Sequence, residues 1–146
     1  MQEQEYIQAV SSVLARHTER AVAQLRLGLD ALPGKARAVT IHVMVDQGTE
    51  GFLTVRLGVD GPDLYVLNKA IAPYASLFST VMTETGLSPD LPLMEGDEFD
   101  VGDVLTDCAA RWVREVWQQA GHAANGLPVA VISPEGYGQS LPVFLQ

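Results

Sequence analysis

The chain has 146 residues, 47% of them hydrophobic and 18% charged, with 18 acids against 9 bases for a formal net charge of −9. That length suits a single unit over residues 1–146 able to bury roughly 68% of its unfolded surface, too apolar for disorder and with no apolar run long enough to span a bilayer. The acidic balance argues against nucleic-acid binding and against attachment to an anionic membrane, because both need clustered Lys and Arg.

Taken in chain order, Met1-Gln2-Glu3-Gln4-Glu5 lacks the basic-then-apolar order of a signal peptide. With Cys108 the single cysteine, no internal disulfide is expected, and a reducing cytoplasm is the expected compartment. From about Glu3 to Leu32 apolar residues recur at three- and four-residue steps, which predicts a long amphipathic helix. Pro33-Gly34 stops it, and Gly28 is the expected place for any break. Val39, Ile41, Val43 and Val45 then alternate with polar neighbours, as do Leu53, Val55, Leu57 and Val59. The turn Asp46 to Gly51 between them makes this a β-hairpin.

Asp63 is a candidate N-cap for a short helix from Leu64 to about Ala72, with Leu64, Leu67, Ala70 and Ile71 on its apolar face; a strand at Leu64 to Leu67 is the alternative. Ser76 to Thr83 reads as a third strand and Glu84 to Glu98 as a long surface loop. Val101 to Ala120 keeps the helical period throughout, with Asp100 as N-cap, Asp103 three residues on, and Gly121 as stop. Leu127 to Ser133 and Ser140 to Leu145 form a last hairpin around Pro134 to Gly138. This order predicts an α+β fold in two layers. A mainly antiparallel sheet of about five strands, with two hairpins, packs against a long N-terminal helix and a second long helix near 101–120.

Charge is distributed unevenly along this framework. Residues 70 to 146 hold 10 acids and 2 bases, and no base occurs between Lys69 and Arg111. That interval contains Glu95, Asp97, Glu98, Asp100, Asp103 and Asp107. Three readings compete for it. Carboxylates at a helix start are stabilised by the macrodipole, by roughly 0.3–1 kcal/mol each; a localised negative field also steers a basic partner; and Asp100, Asp103 and Asp107 could hold a divalent cation. The spacing is wrong for an EF-hand. Asp107, Arg111 and Glu115 stand four apart, as in a solvated ion-pair ladder.

His17, His42, His122 and Cys108 lack zinc-ligand spacing, so structural or surface histidines and an inert buried thiol are expected. Trp112 and Trp117 are expected in the core. No nucleophile elbow, P-loop or dinucleotide fingerprint is present, and Gly136-Tyr137-Gly138 reads as a turn. The expectation is an acidic cytoplasmic binding domain without a cofactor, monomeric or homodimeric. Glu95, Asp97, Glu98, Asp100 and Asp103 form the surface for a basic protein, in the manner of an inhibitor or immunity-type partner. A metal-dependent hydrolase or phosphate-handling enzyme using Asp100, Asp103 and Asp107 is the alternative.

Overall fold

The computed structural model describes residues 2–45, 53–84, 86–89, 91, 100–120, 126–134, 136, 138 and 141–145. Along these residues run α1 (Glu3–Arg16), α2 (Thr18–Asp30), β1 (Ala38–Val45), β2 (Leu53–Asp60), α3 (Leu64–Ile71), β3 (Ser76–Ser79), β4 (Val81–Thr83), β5 (Gly86–Ser88), α4 (Val101–Ala120), β6 (Val129–Ile132) and β7 (Val143–Leu145). A single 3-10 turn, Ala72–Tyr74, lies between α3 and β3.

Strict alternation gives β1 and β2 one buried face. Val39, Ile41, Val43 and Val45 are buried, as are Leu53, Val55, Leu57 and Val59. The two strands pair antiparallel from Ala38 opposite Asp60 to Val45 opposite Leu53. The full sheet order is β3-β2-β1-β6-β7. Its β2–β3 and β6–β7 contacts are antiparallel, whereas β6 joins β1 in parallel, with Val39 opposite Val129. The fold is therefore α+β in two layers with a mostly antiparallel sheet. One apolar core joins the sheet's buried face to Tyr6, Val10, Leu14 and Leu25 of the N-terminal helices and to Leu105, Ala109, Val113 and Val116 of α4. Each fully buried aliphatic side chain contributes about 1.5–3 kcal/mol over an exposed one.

α4 is held to the N-terminal helices by polar contacts as well. Arg26 donates from Nε to the Ala120 carbonyl at 3.0 Å and from Nη2 to that of Gln119 at 2.9 Å. A cation thereby satisfies the last turn of α4, where carbonyls lack intrahelical donors and the dipole is negative. Trp112 and Trp117 are both buried, as their spacing predicts. Trp112 packs edge-on against Phe78, centroids 5.9 Å apart, and Phe78 packs likewise against His17 at 5.4 Å.

Several local expectations need correction. The N-terminal helical stretch divides at His17 rather than at Gly28. There the His17 N–H bonds three residues back to Leu14, and the Thr18 hydroxyl donates to the same carbonyl at 3.5 Å, tightening the turn and ending α1. Gly28 stays within α2, and its missing side chain lets the helix approach the sheet: a Cβ there would stand 2.5 Å from Leu57 Cδ2. The stretch Ser76 to Thr83 is two strands. Thr80 separates them by capturing both backbone groups of Leu53, accepting from its N–H at 3.0 Å and donating to its carbonyl at 3.2 Å. Within the expected loop Glu84 to Glu98, β5 pairs with β4, Met82 opposite Leu87; three residues are too few to show a period.

The short helix α3 forms as expected. The carboxylate of Asp63, in the left-handed region at φ 60, accepts from the Val66 N–H at 3.5 Å. Leu64, however, is exposed, and only Leu67 and Ile71 of the expected apolar face are buried. The turn at Asp46 to Gly51 lies outside the described residues.

Candidate functional site

Because α1 and α4 pack side by side, the first turn of α1 meets the first turns of α4. Glu3 and Ile7 come from α1; Asp100, Asp103, Val104, Asp107 and Arg111 come from the start of α4, and together they line a groove of about 440 Å³. Successive spacings of three and four residues keep Asp100, Asp103, Asp107 and Arg111 on one side of α4. Four carboxylates and one guanidinium thus share one surface depression.

Two of these carboxylates are fixed by backbone donors. Asp100 accepts from the Asp103 N–H at 3.1 Å, and its carbonyl accepts from Val104 at 3.0 Å, which is the N-cap geometry that the sequence predicts. Asp103 Oδ1 accepts from the Gly138 N–H at 2.7 Å. That short, charge-assisted bond ties the β6–β7 connection to the start of α4. Gly138 has a φ of +89°, and a Cβ there would stand 2.7 Å from Thr106 Cγ2 and 3.0 Å from Asp107 Oδ1. Only glycine lets this backbone lie so close to α4.

Of the sequence-predicted contact residues, Asp100 and Asp103 are brought together at this groove, whereas Glu95, Asp97 and Glu98 lie outside the described residues. Asp107 joins them, but among the described residues no three His, Cys, Asp or Glu side chains gather as a group able to hold a metal ion.

The chain belongs to the Family of unknown function (DUF6389). The family pattern matches residues 1–146. No curated protein and no solved structure matches the chain.

Elsewhere in this DUF6389 chain, packing accounts for Cys108, His42 and His17. Cys108 is buried, which pushes its thiol up against the smaller pull of Arg111, whose Nη2 donates to Sγ at 3.4 Å. A raised thiol is a poor nucleophile. His42 is half-buried on the face of β1 opposite Val39, Ile41 and Val43, with Nε2 hydrogen-bonded to the Thr40 hydroxyl at 2.8 Å, and burial followed by Arg56 holds it below its ordinary value. His17 is held down by burial first and by Arg16 and Arg20 next. His122 lies outside the described residues. No helix among the described residues is long and apolar enough to cross a membrane.

Sequence reasoning missed Glu3 and Ile7 as groove residues, because the α1–α4 contact that brings them there has no local signal. It also missed Gly138 as a partner of Asp103. The pair of glycines in that turn was the available clue, since glycine marks close backbone approach as well as turn geometry.

Proposed function

We propose that this chain is a cytoplasmic binding domain whose acidic groove receives a basic protein, as an inhibitor or immunity-type partner does, and that it works without catalysis. One observation carries the reading: Glu3, Asp100, Asp103 and Asp107 converge from two helices on one groove in which Arg111 is the only lining base among the described residues. Such a concentrated field speeds encounter with a basic surface and selects against acidic ones. The hydrogen bonds to Asp100 and Asp103 hold their carboxylates in place before a partner arrives, which lowers the ordering cost of association.

The test is a comparison of the wild type with a variant carrying Glu3→Gln, Asp100→Asn, Asp103→Asn and Asp107→Asn. The amide oxygens still accept the bonds from Asp103 and Gly138, so the fold stays while the charge goes. Immobilised wild-type protein is expected to retain basic proteins from its native lysate, to release them at high salt, and to lose them in the variant. Equal retention by a folded variant rejects the groove as the binding surface.

A further inference from the structure

Of the large apolar side chains exposed among the described residues, three are consecutive and sit on one eight-residue helix: in α3, Leu64 is 54%, Tyr65 75% and Val66 56% exposed. Folding gains nothing from displaying them, and a run of exposed apolar residues marks an association surface. Their electrostatic setting narrows the partner. In a chain of net charge −9, the stretch from Pro62 to Pro73 contains one acid, Asp63, and one base, Lys69. It is locally neutral, so a second copy can approach here without the repulsion it meets at the acidic groove.

We propose that α3 is a self-association surface, on which two copies of this chain pack their α3 helices antiparallel about a two-fold axis at Val66. The placement of charge carries the argument. Asp63 and Lys69 stand three residues to either side of Val66, about 4.5 Å each way along the helix axis. Inverting one copy about Val66 sets Asp63 of each chain beside Lys69 of the other, giving two opposite-charge pairs flanking an apolar centre. Such self-complementarity is what a two-fold interface requires. The Lys69 ammonium lies 6.0 Å from the centroid of the Tyr65 ring, so base and aromatic share the exposed side of α3. The buried side of the helix is already committed, through Leu67 and Ile71, to the core. An eight-residue helix is about 12 Å long, and a pair of them buries less than the roughly 1,200 Å² of a standard-sized interface, so the dimer is weak and concentration-dependent.

Sedimentation equilibrium from about 10 μM to about 1 mM tests this, the span in which so small an interface is populated. The wild type is expected to rise from its monomer mass of 15.7 kDa towards twice that value. Val66→Lys, at an exposed helical position, is expected to remain monomeric. Lys69→Glu, which sets like charges opposite each other, weakens association about 10-fold, and adding Asp63→Asn recovers several-fold. Asparagine keeps both the cap and the tolerance for the left-handed backbone. A wild type that stays monomeric at the highest concentration overturns the proposal. So does association unchanged by Val66→Lys or Lys69→Glu, or a double variant no better than Lys69→Glu alone. Amide chemical shifts of the wild type, followed on concentration, need no variant: changes confined to Asp63 through Ala70 support the interface, and changes centred elsewhere reject it.

Discussion

The indole Nε1 of Trp112 donates to the Thr18 hydroxyl at 3.0 Å, which joins the middle of α4 to the first residue of α2. Trp112 is 4% exposed, so this N–H has no route to bulk water once the hydroxyl is gone. Thr18→Val keeps the shape and removes the acceptor, and is expected to cost about 1–2 kcal/mol in urea unfolding. Thr18→Ser should recover most of it. In a Thr18→Val, Trp112→Phe double variant the two losses should fall short of additivity; strict additivity would mean that the bond contributes nothing.

Asn68 does the work of a missing strand. Its Oδ1 accepts from the Val59 N–H at 3.0 Å and its Nδ2 donates to the Val59 carbonyl at 3.0 Å, at a point on β2 beyond its pairing with β3. Asn68→Asp preserves size but cannot donate, leaving a carbonyl facing a carboxylate. Its expected loss is about 2 kcal/mol, and more than that of Asn68→Ser, measured by thermal melting at neutral pH.

Gly138 carries a double constraint. Alanine there adds the left-handed penalty of about 1–2 kcal/mol to the overlap with Thr106 and Asp107. Gly138→Ala is expected to lower stability by about 2 kcal/mol or more and to release the bond to Asp103. Gly136→Ala tests the contribution of space. Gly136 also has a positive φ, +80°, but among the described residues a Cβ there meets nothing within 4 Å, so the backbone penalty is the one expected.

His42 gives a pH dependence with a fixed sign. Burial first, and Arg56 second, lower its affinity for a proton below the ordinary 6.5. The unfolded chain then binds that proton more readily than the folded one. The stability from this group is complete above about pH 6.5 and is lost as pH falls from there towards the lowered folded value. His17 acts in the same direction. In an NMR titration, His42 of the wild type should show a midpoint below 6.5, and Arg56→Gln should raise it; a wild-type midpoint above 6.5 would contradict this account.

Which parts of this molecule could be read in advance follows from the range of the forces involved. β1, β2 and α4 announce themselves because burial on one face forces a period, and Asp63 and Asp100 because caps are local. The strand break at Thr80 depends on a partner outside its own segment, Leu53, and the helix break at His17 turns on two bonds back to the Leu14 carbonyl that leave no mark in the apolar period. Leu64 obeys the helical period but is left exposed, since α3 packs chiefly against β2 and the turn that follows. At the groove, Asp100 and Asp103 were legible from a helix start in a base-free interval, but Glu3 was not, because nothing near it in sequence says which helix α1 will lie against.

The parallel seam between β1 and β6 has a consequence for how the molecule is made. β1 acquires one neighbour from the strand that follows it, but its other edge waits for Val129–Ile132, near the far end of the chain. On the ribosome, the hairpin therefore emerges long before the segment that will shield it. Its exposed rim, rich in valine and isoleucine, must be kept from pairing with other nascent chains until α4 and β6 have been released. Completion of the sheet therefore waits for residues 129–132, and a chain arrested before residue 129 is expected to leave this edge open to pairing with other chains.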